Sequence, residues 1–132
     1  MHKLIYASRR KGAAPDALER LLAASRENNR RDGITGALLY DGRRFLQLLE
    51  GEHDALARCF LRIVRHPLHR EIEIGVFLES AARLFARWEM RAMDVGRAEP
   101  SLSIVWRRAM AMPEEPARLA LIERQMLDWF SP

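Results

Sequence analysis

Ile34-Thr35-Gly36-Ala37-Leu38-Leu39-Tyr40-Asp41-Gly42-Arg43-Arg44-Phe45-Leu46-Gln47-Leu48-Leu49-Glu50-Gly51 is the stretch that decides the fold. Two apolar runs, 34–40 and 44–50, flank Asp41-Gly42, the dipeptide that a tight type I′ hairpin prefers, and Gly51 ends the second run. Alternate side chains of a strand share a face. Phe45, Gln47 and Leu49 therefore form one row, while Arg44 and Glu50 fall in the other. A carboxamide brings two donors and an acceptor into that apolar row. Buried without partners they cost about 1–3 kcal/mol. Gln47 is then satisfied by the protein, or it faces a polar ligand set into the apolar layer.

Upstream, residues 3–8 read as a strand with Leu4, Tyr6 and Ser8 on one face and Ile5 and Ala7 on the other. After the loop Arg9-Arg10-Lys11-Gly12, Pro15 suits the first turn of a helix, with Asp16 and Glu19 near its positive end. Leu18, Leu22, Ser25 and Asn29 follow at helical spacing, with Leu21 and Asn28 beside them, and Asp32-Gly33 stops the helix.

Downstream, a helix over about 54–64 carries Leu56, Cys59, Phe60, Ile63 and Val64 on one stripe, and Pro67 bars its continuation. Residues 71–78 alternate, with Glu71 and Glu73 against Ile72, Ile74 and Val76. A fifth strand fits 84–92, where Ala86, Trp88, Met90 and Ala92 share a face.

This order, βαββαβ with one further strand, predicts an α+β protein of ferredoxin-like βαββαββ layout: two helices on one face of a mainly antiparallel sheet. Gly96 to Pro100 reads as a linker, which divides the chain into a unit over 1–95 and a helical extension over 96–132. Helices are expected over 101–111 and 115–130, the second with Leu119, Ile122, Met126, Trp129 and Phe130 along one side. So short a segment cannot build its own core, so these helices should cover the sheet's free face.

A chain of 132 residues suits one domain with a real core. Its one cysteine, Cys59, has no internal partner and suits a reducing cytoplasm. There is no apolar run of transmembrane length and no signal-peptide layout, so a soluble cytoplasmic protein is expected, without a membrane role. The net charge is +4, and only Lys3 and Lys11 of the basic residues are lysine. The arginines are scattered among carboxylates, as in Glu19-Arg20, Arg26-Glu27 and Glu123-Arg124, which is the pattern of solvated, ion-paired faces. With no basic stripe interleaved with aromatics, nucleic acid is not an expected partner.

Two more polar groups fall on apolar faces. Asn29 extends the Leu18-Leu22-Ser25 stripe, unless it serves as a helix cap. Tyr6 lies beside Leu4, and a buried phenol seeks a hydrogen-bond partner. A ferredoxin-like order sets the first and third strands side by side, so Tyr6 and Gln47 can meet, with Asn29 above them. Together the three favour a planar polar ligand between the two helices, which spacing alone does not identify.

The same residues carry a family resemblance. Tyr6-x-Ser8, Asn29 before Gly33-Ile34-Thr35-Gly36, Phe45-Leu46-Gln47-Leu48-Leu49-Glu50-Gly51 and Phe85-x-x-Trp88-x-Met90, in order over roughly 2–93, resemble a BLUF domain, a blue-light sensor using FAD. The resemblance implies a flavin held between the two helices. Gln47 would bond the ring and link it to the Tyr6 hydroxyl, and Asn29 would bind the carbonyl and N3 edge. Ser8, Asn28, Ile34, Leu38, Phe45, Ile63 and His69 would line or approach the pocket. Light would draw an electron and a proton from Tyr6. Gln47 would then rearrange and donate a new hydrogen bond, with Trp88 and Met90 on the fifth strand relaying the change.

One block departs from the family. His66-Pro67-Leu68-His69 stands where the family commonly has Asp-x-Arg-His, which leaves the ribityl-phosphate side to another arginine or to a weaker hold. His66-x-x-His69 has no third ligand in view for a metal. The resemblance implies a stand-alone sensor rather than an enzyme, signalling through a homo-oligomer or a separate downstream protein. The alternatives are a ferredoxin-like interaction module that has lost flavin or photoactivity, and a small flavin enzyme.

Overall fold

The computed structural model describes residues 1–12 and 16–131, and the expectation for Pro15 falls outside them. In chain order the elements are β1 (His2–Arg10), α1 (Ala17–Asp32), β2 (Thr35–Tyr40), β3 (Arg44–Gly51), α2 (His53–Arg65), β4 (His69–Glu79), β5 (Arg91–Asp94), α3 (Leu102–Met110) and α4 (Glu115–Phe130). The strands form one sheet in the order β4-β1-β3-β2-β5. The first four pair antiparallel, and β5 runs parallel to β2.

The alternation of β1 and β3 sorts the core into two layers. Leu4, Tyr6, Phe45 and Leu49 pack with Leu22 of α1 and Leu56 and Cys59 of α2. Ile5, Ala7, Leu46 and Leu48 pack on the other side with Leu102, Trp106 and Ala109 of α3 and Ile122, Met126 and Phe130 of α4. The C-terminal helices thus cover the face that α1 and α2 leave bare. Gly33 ends α1 in the left-handed region at φ 69°, where its N–H and that of Ile34 bond the Asn29 carbonyl. The cap of α1 is therefore Gly33, and the Asn29 side chain is free for another task.

Three local expectations are corrected. Neither Asp41 nor Gly42 adopts a positive φ, so the hairpin turn is not type I′. The Asp41 carboxylate instead accepts the N–H groups of Arg43 and Arg44, each at 2.7 Å, in a side-chain-stabilised loop.

Ile72, Ile74 and Val76 do not share a face. Ile5 pairs with Val76 while Tyr6 pairs with Ile74, so Gly75 is an extra residue in the ladder, and a second irregularity follows near Glu71, at φ 51°. Val76 consequently packs toward α3 and α4, Ile72 packs toward the α1–α2 layer, and Ile74 is half exposed.

The fifth strand covers only 91–94, not 84–92. Residues 80–90 form an irregular segment held largely by side chains rather than by a ladder. Trp88 and Met90 therefore precede β5, and they point to different layers: Trp88 joins the α3–α4 layer and Met90 the α1–α2 layer.

Candidate functional site

Tyr6 and Gln47 are direct cross-strand partners in the β1–β3 register, both on the α1–α2 side. The Tyr6 hydroxyl donates to Gln47 Oε1. Burial, and secondarily the charge Cys59 carries once it ionises, push the Tyr6 pKa well above its ordinary value, so the phenol keeps its proton and remains a donor. With its oxygen occupied, the carboxamide turns Nε2 to the Met90 sulfur at 3.2 Å. A thioether is a weak acceptor. One end of Gln47 is held firmly and the other loosely.

Beside Gln47, a narrow cleft of about 70 Å³ opens between α1 and α2. Leu21, Ala24, Ser25, Asn28 and Asn29 line it from α1; Cys59, Arg62 and Ile63 line it from α2, with His66 just beyond. Asn29 is 1% exposed, and its Nδ2 donates to the Glu89 carbonyl at 2.7 Å. Among the described residues, Oδ1 then faces only the Cys59 thiol, a weak donor 3.9 Å away. Burial raises the Cys59 pKa, which keeps the thiol neutral.

Behind the tyrosine, Ser8 Oγ and His69 Nδ1 are hydrogen-bonded at 2.8 Å. Burial, with a smaller contribution from His66, lowers the His69 pKa to about 4, so its imidazole is neutral near pH 7. Its ring lies 4.9 Å from that of Phe45 and 5.9 Å from that of Tyr6. Ile34, Leu38 and Phe45 belong to the same buried layer.

Of the residues expected from sequence, the structure brings Asn28, Asn29, Gln47 and Ile63 to one cleft and sets Tyr6, Ser8, His69, Ile34, Leu38 and Phe45 in the layer beneath or beside it. Trp88 is elsewhere. It stacks on Phe85 at 5.0 Å, lies 5.7 Å from Phe130 of α4, and has the Arg91 guanidinium 4.2 Å over its ring. Leu68 is buried, so the position where the family has an arginine presents nothing polar to the cleft. The cations and imidazoles at the cleft come from Arg62 and His66 instead, Arg62 being paired with Asp32 at 3.2 Å. His66 and His69 have ring centroids 6.1 Å apart, and among the described residues no third His, Cys, Asp or Glu completes a cluster with them.

A family model described as sensors of blue-light using FAD, BLUF, matches residues 1–91. The chain belongs to the BLUF family. It is 29% identical over 93 residues to the blue light- and temperature-regulated antirepressor BluF of Escherichia coli (strain K12), a match covering 70% of this chain and 23% of that protein. The chain thus spans about a quarter of the length of that curated relative. Among solved structures it is similar to BlrB, a BLUF protein in its dark state, with 34% identity, a TM-score of 0.76 and coverage of 94% and 96% of the two chains. It is also similar to Klebsiella pneumoniae BlrP1 with FMN and cyclic diGMP, with 35% identity, a TM-score of 0.68 and coverage of 74% and 27%.

Sequence reasoning on this BLUF domain missed Arg62 and His66 as cleft residues. The signal was present: Cys59, Arg62, Ile63 and His66 follow i, i+3, i+4, i+7 spacing along one helix face. The two polar members read as solvated surface because that stripe runs from the core out to the cleft mouth. No helix among the described residues is long and apolar enough to cross a membrane.

Proposed function

We propose that this chain is a blue-light photoreceptor that holds FAD between α1 and α2 and responds through its Tyr6–Gln47 hydrogen-bond network. The observation that carries this reading is the chain from the Tyr6 hydroxyl through the Gln47 carboxamide to the Met90 sulfur, beside a cleft edged by two asparagines. The lining suits a flavin in chemistry: Leu21, Ala24 and Ile63 offer apolar surface to the ring faces, and Asn28, Asn29 and Gln47 offer donors and acceptors to its polar edge. The Gln47 nitrogen, resting on a thioether, and the Asn29 oxygen, facing a thiol, are two groups a heteroaromatic edge would satisfy better. Arg62 and His66 take the phosphate end, in place of the arginine absent at Leu68.

A bound flavin supplies blue absorption and an electron acceptor near Tyr6. Tyr6 holds the mobile proton at its hydroxyl, and Gln47 Oε1 is the first acceptor on its path. Once Tyr6 no longer donates to it, the carboxamide is free to exchange its donor and acceptor ends, which inverts the bond pattern that Met90 and the ring edge receive. Met90 senses that inversion. Trp88, two residues earlier and against Phe130, carries it to α4. Ser8 and His69 keep the tyrosine's surroundings neutral.

Residues 1–95 form the sensing unit and 96–132 the extension that passes the change on, to a second copy or to a separate signalling protein in the cytoplasm. The polar groups beside the Tyr6 partner Gln47 include the amides of Asn28 and Asn29, which arrange hydrogen bonds without trading protons near neutral pH, and this favours a sensor over a turnover enzyme.

The test is one absorption spectrum of the purified protein before and after blue light, followed by chromatography of the released cofactor. A yellow protein with a reversible red shift and released FAD supports the reading. A colourless protein that FAD cannot reconstitute sinks it, release of FMN corrects the cofactor, and steady dark oxidation of NAD(P)H would make it an enzyme.

A further inference from the structure

On β3, three residues past Gln47 and on the opposite face of the sheet, Glu50 is fully buried. Its carboxylate accepts the backbone N–H groups of Leu84 and Phe85 and lies 3.3 Å from the Thr35 hydroxyl. These contacts pin the start of the irregular segment that ends at Met90. Arg83 adds to the clamp, donating to the Thr35 hydroxyl and to the carbonyls of Glu50 and Gly33. The far end of the segment is held from the other face: Asn29 donates to the Glu89 carbonyl and Gln47 to the Met90 sulfur. One short strand thus grips a single loop at both ends, Glu50 at the entrance and Gln47 at the exit.

The Glu50 carboxylate pairs with the ammonium of Lys3 of β1, at 3.2 Å. Lys3 is itself buried, and its ammonium also meets Glu123 of α4 at 2.6 Å. An ammonium shared between two carboxylates couples their positions, because a move of either alters how well it is shared. In a buried site that coupling is weakly screened.

We propose that Glu50 is a positioning residue for the light response, and that buried Glu50 and Lys3, with Glu123 at their edge, couple the Met90 segment to α4. The proposal rests on the photoreceptor reading only for its light-dependent part. When Gln47 changes its hold on Met90, the segment pulls on its second anchor at Glu50, and Lys3 passes the altered charge balance to Glu123. This route runs through the sheet interior, separate from the Trp88–Phe130 contact at its edge.

The test is residue-resolved amide exchange on the full chain, in darkness and in blue light, with Glu123→Gln, Lys3→Met and Lys3→Arg. Glu123 is partly exposed, so Glu123→Gln keeps the test alive should Lys3→Met fail to fold. In darkness both Glu123→Gln and Lys3→Met should speed exchange of the Leu84 and Phe85 amides about fivefold or more, as expected for a weakened charged hydrogen bond, and Lys3→Arg should restore protection. In light the exchange response of α4 around Glu123 should fall severalfold in the first two variants, while the response near Phe130 and the absorption shift keep their size. Unchanged exchange at Leu84 and Phe85, or a light response around Glu123 that keeps its full size in both variants, overturns the coupling. A wild-type protein without an absorption shift, whose variants still expose Leu84 and Phe85, removes the photoreceptor reading and supports the coupling.

Discussion

Gln47 donates its amide nitrogen to the sulfur of Met90 at 3.2 Å, while the same carboxamide accepts from the Tyr6 hydroxyl. The resting orientation of Gln47 is therefore set mainly at its oxygen end. A phenol is a strong donor and a thioether a poor acceptor. Replacing Met90 should leave the amide oriented but less well held.

Met90→Ala is expected to retain flavin and the red shift. It should change the dark-recovery rate by about fivefold, the scale of one hydrogen bond worth about 1 kcal/mol. Recovery kinetics after a blue pulse measure this. Identical rates in the two proteins would show that the sulfur has no part in holding the resting state.

Gln47→Leu should keep flavin in the cleft and lose the red shift, since the shape is nearly preserved and the invertible amide is gone. Tyr6→Phe should likewise remove the usual photocycle. It also leaves Gln47 Oε1 buried without its donor, at a cost of about 1–3 kcal/mol. Difference spectra and urea midpoints read the two effects separately. A normal red shift in either variant assigns the switch to another residue.

His69 gives the fold a pH dependence with a definite sign. Its pKa of about 4 in the folded chain lies below the ordinary 6.5, so as pH falls the unfolded chain takes up the proton first. The stability it confers is complete above about pH 6.5, declines between 6.5 and 4, and levels off below. The loss amounts to about 3 kcal/mol at most. Urea midpoints of wild type and His69→Leu should therefore diverge toward neutral pH from a smaller gap near pH 4. Parallel curves would show that His69 titrates normally.

Gly36 should tolerate no side chain. A Cβ there would lie 2.0 Å from the Leu48 carbonyl oxygen, a backbone atom of β3 that cannot step aside. Gly36 also donates its N–H to the Trp88 carbonyl at 2.9 Å. Gly36→Ala is expected to cost about 2–4 kcal/mol by prying β2 from β3. A thermal melt checks it, and a midpoint within a degree of wild type would contradict the close approach.

The sequence made the sheet legible where local signals and packing agree. Alternation in β1 and β3 placed Tyr6, Gln47 and their apolar neighbours on the correct face, and polar residues in apolar rows pointed to the candidate cleft that Asn29 and Gln47 line. It misled where side chains replace the ladder. Ala86, Trp88, Met90 and Ala92 alternate like a strand, yet Glu50, Asn29 and Arg83 hold much of that segment, and no periodicity records such bonds. The irregularities of β4 were hidden for a related reason: Gly75 was an isolated glycine in a strand pattern, a hint of a bulge that carries no direction.

Because β3 alternates, each of its residues belongs to a single neighbour. Phe45, Gln47 and Leu49 answer to α1 and α2, while Leu46, Leu48 and Glu50 answer to α3, α4 and the buried ion pairs. The strand is a text read from both sides of the page, so respelling one letter disturbs one reader. Adding or deleting a letter between Phe45 and Gln47 would hand each reader the other's line, turning Gln47 toward α3 and α4 and Glu50 toward the cleft. Natural variation in this stretch should therefore run through substitution, with its length held constant.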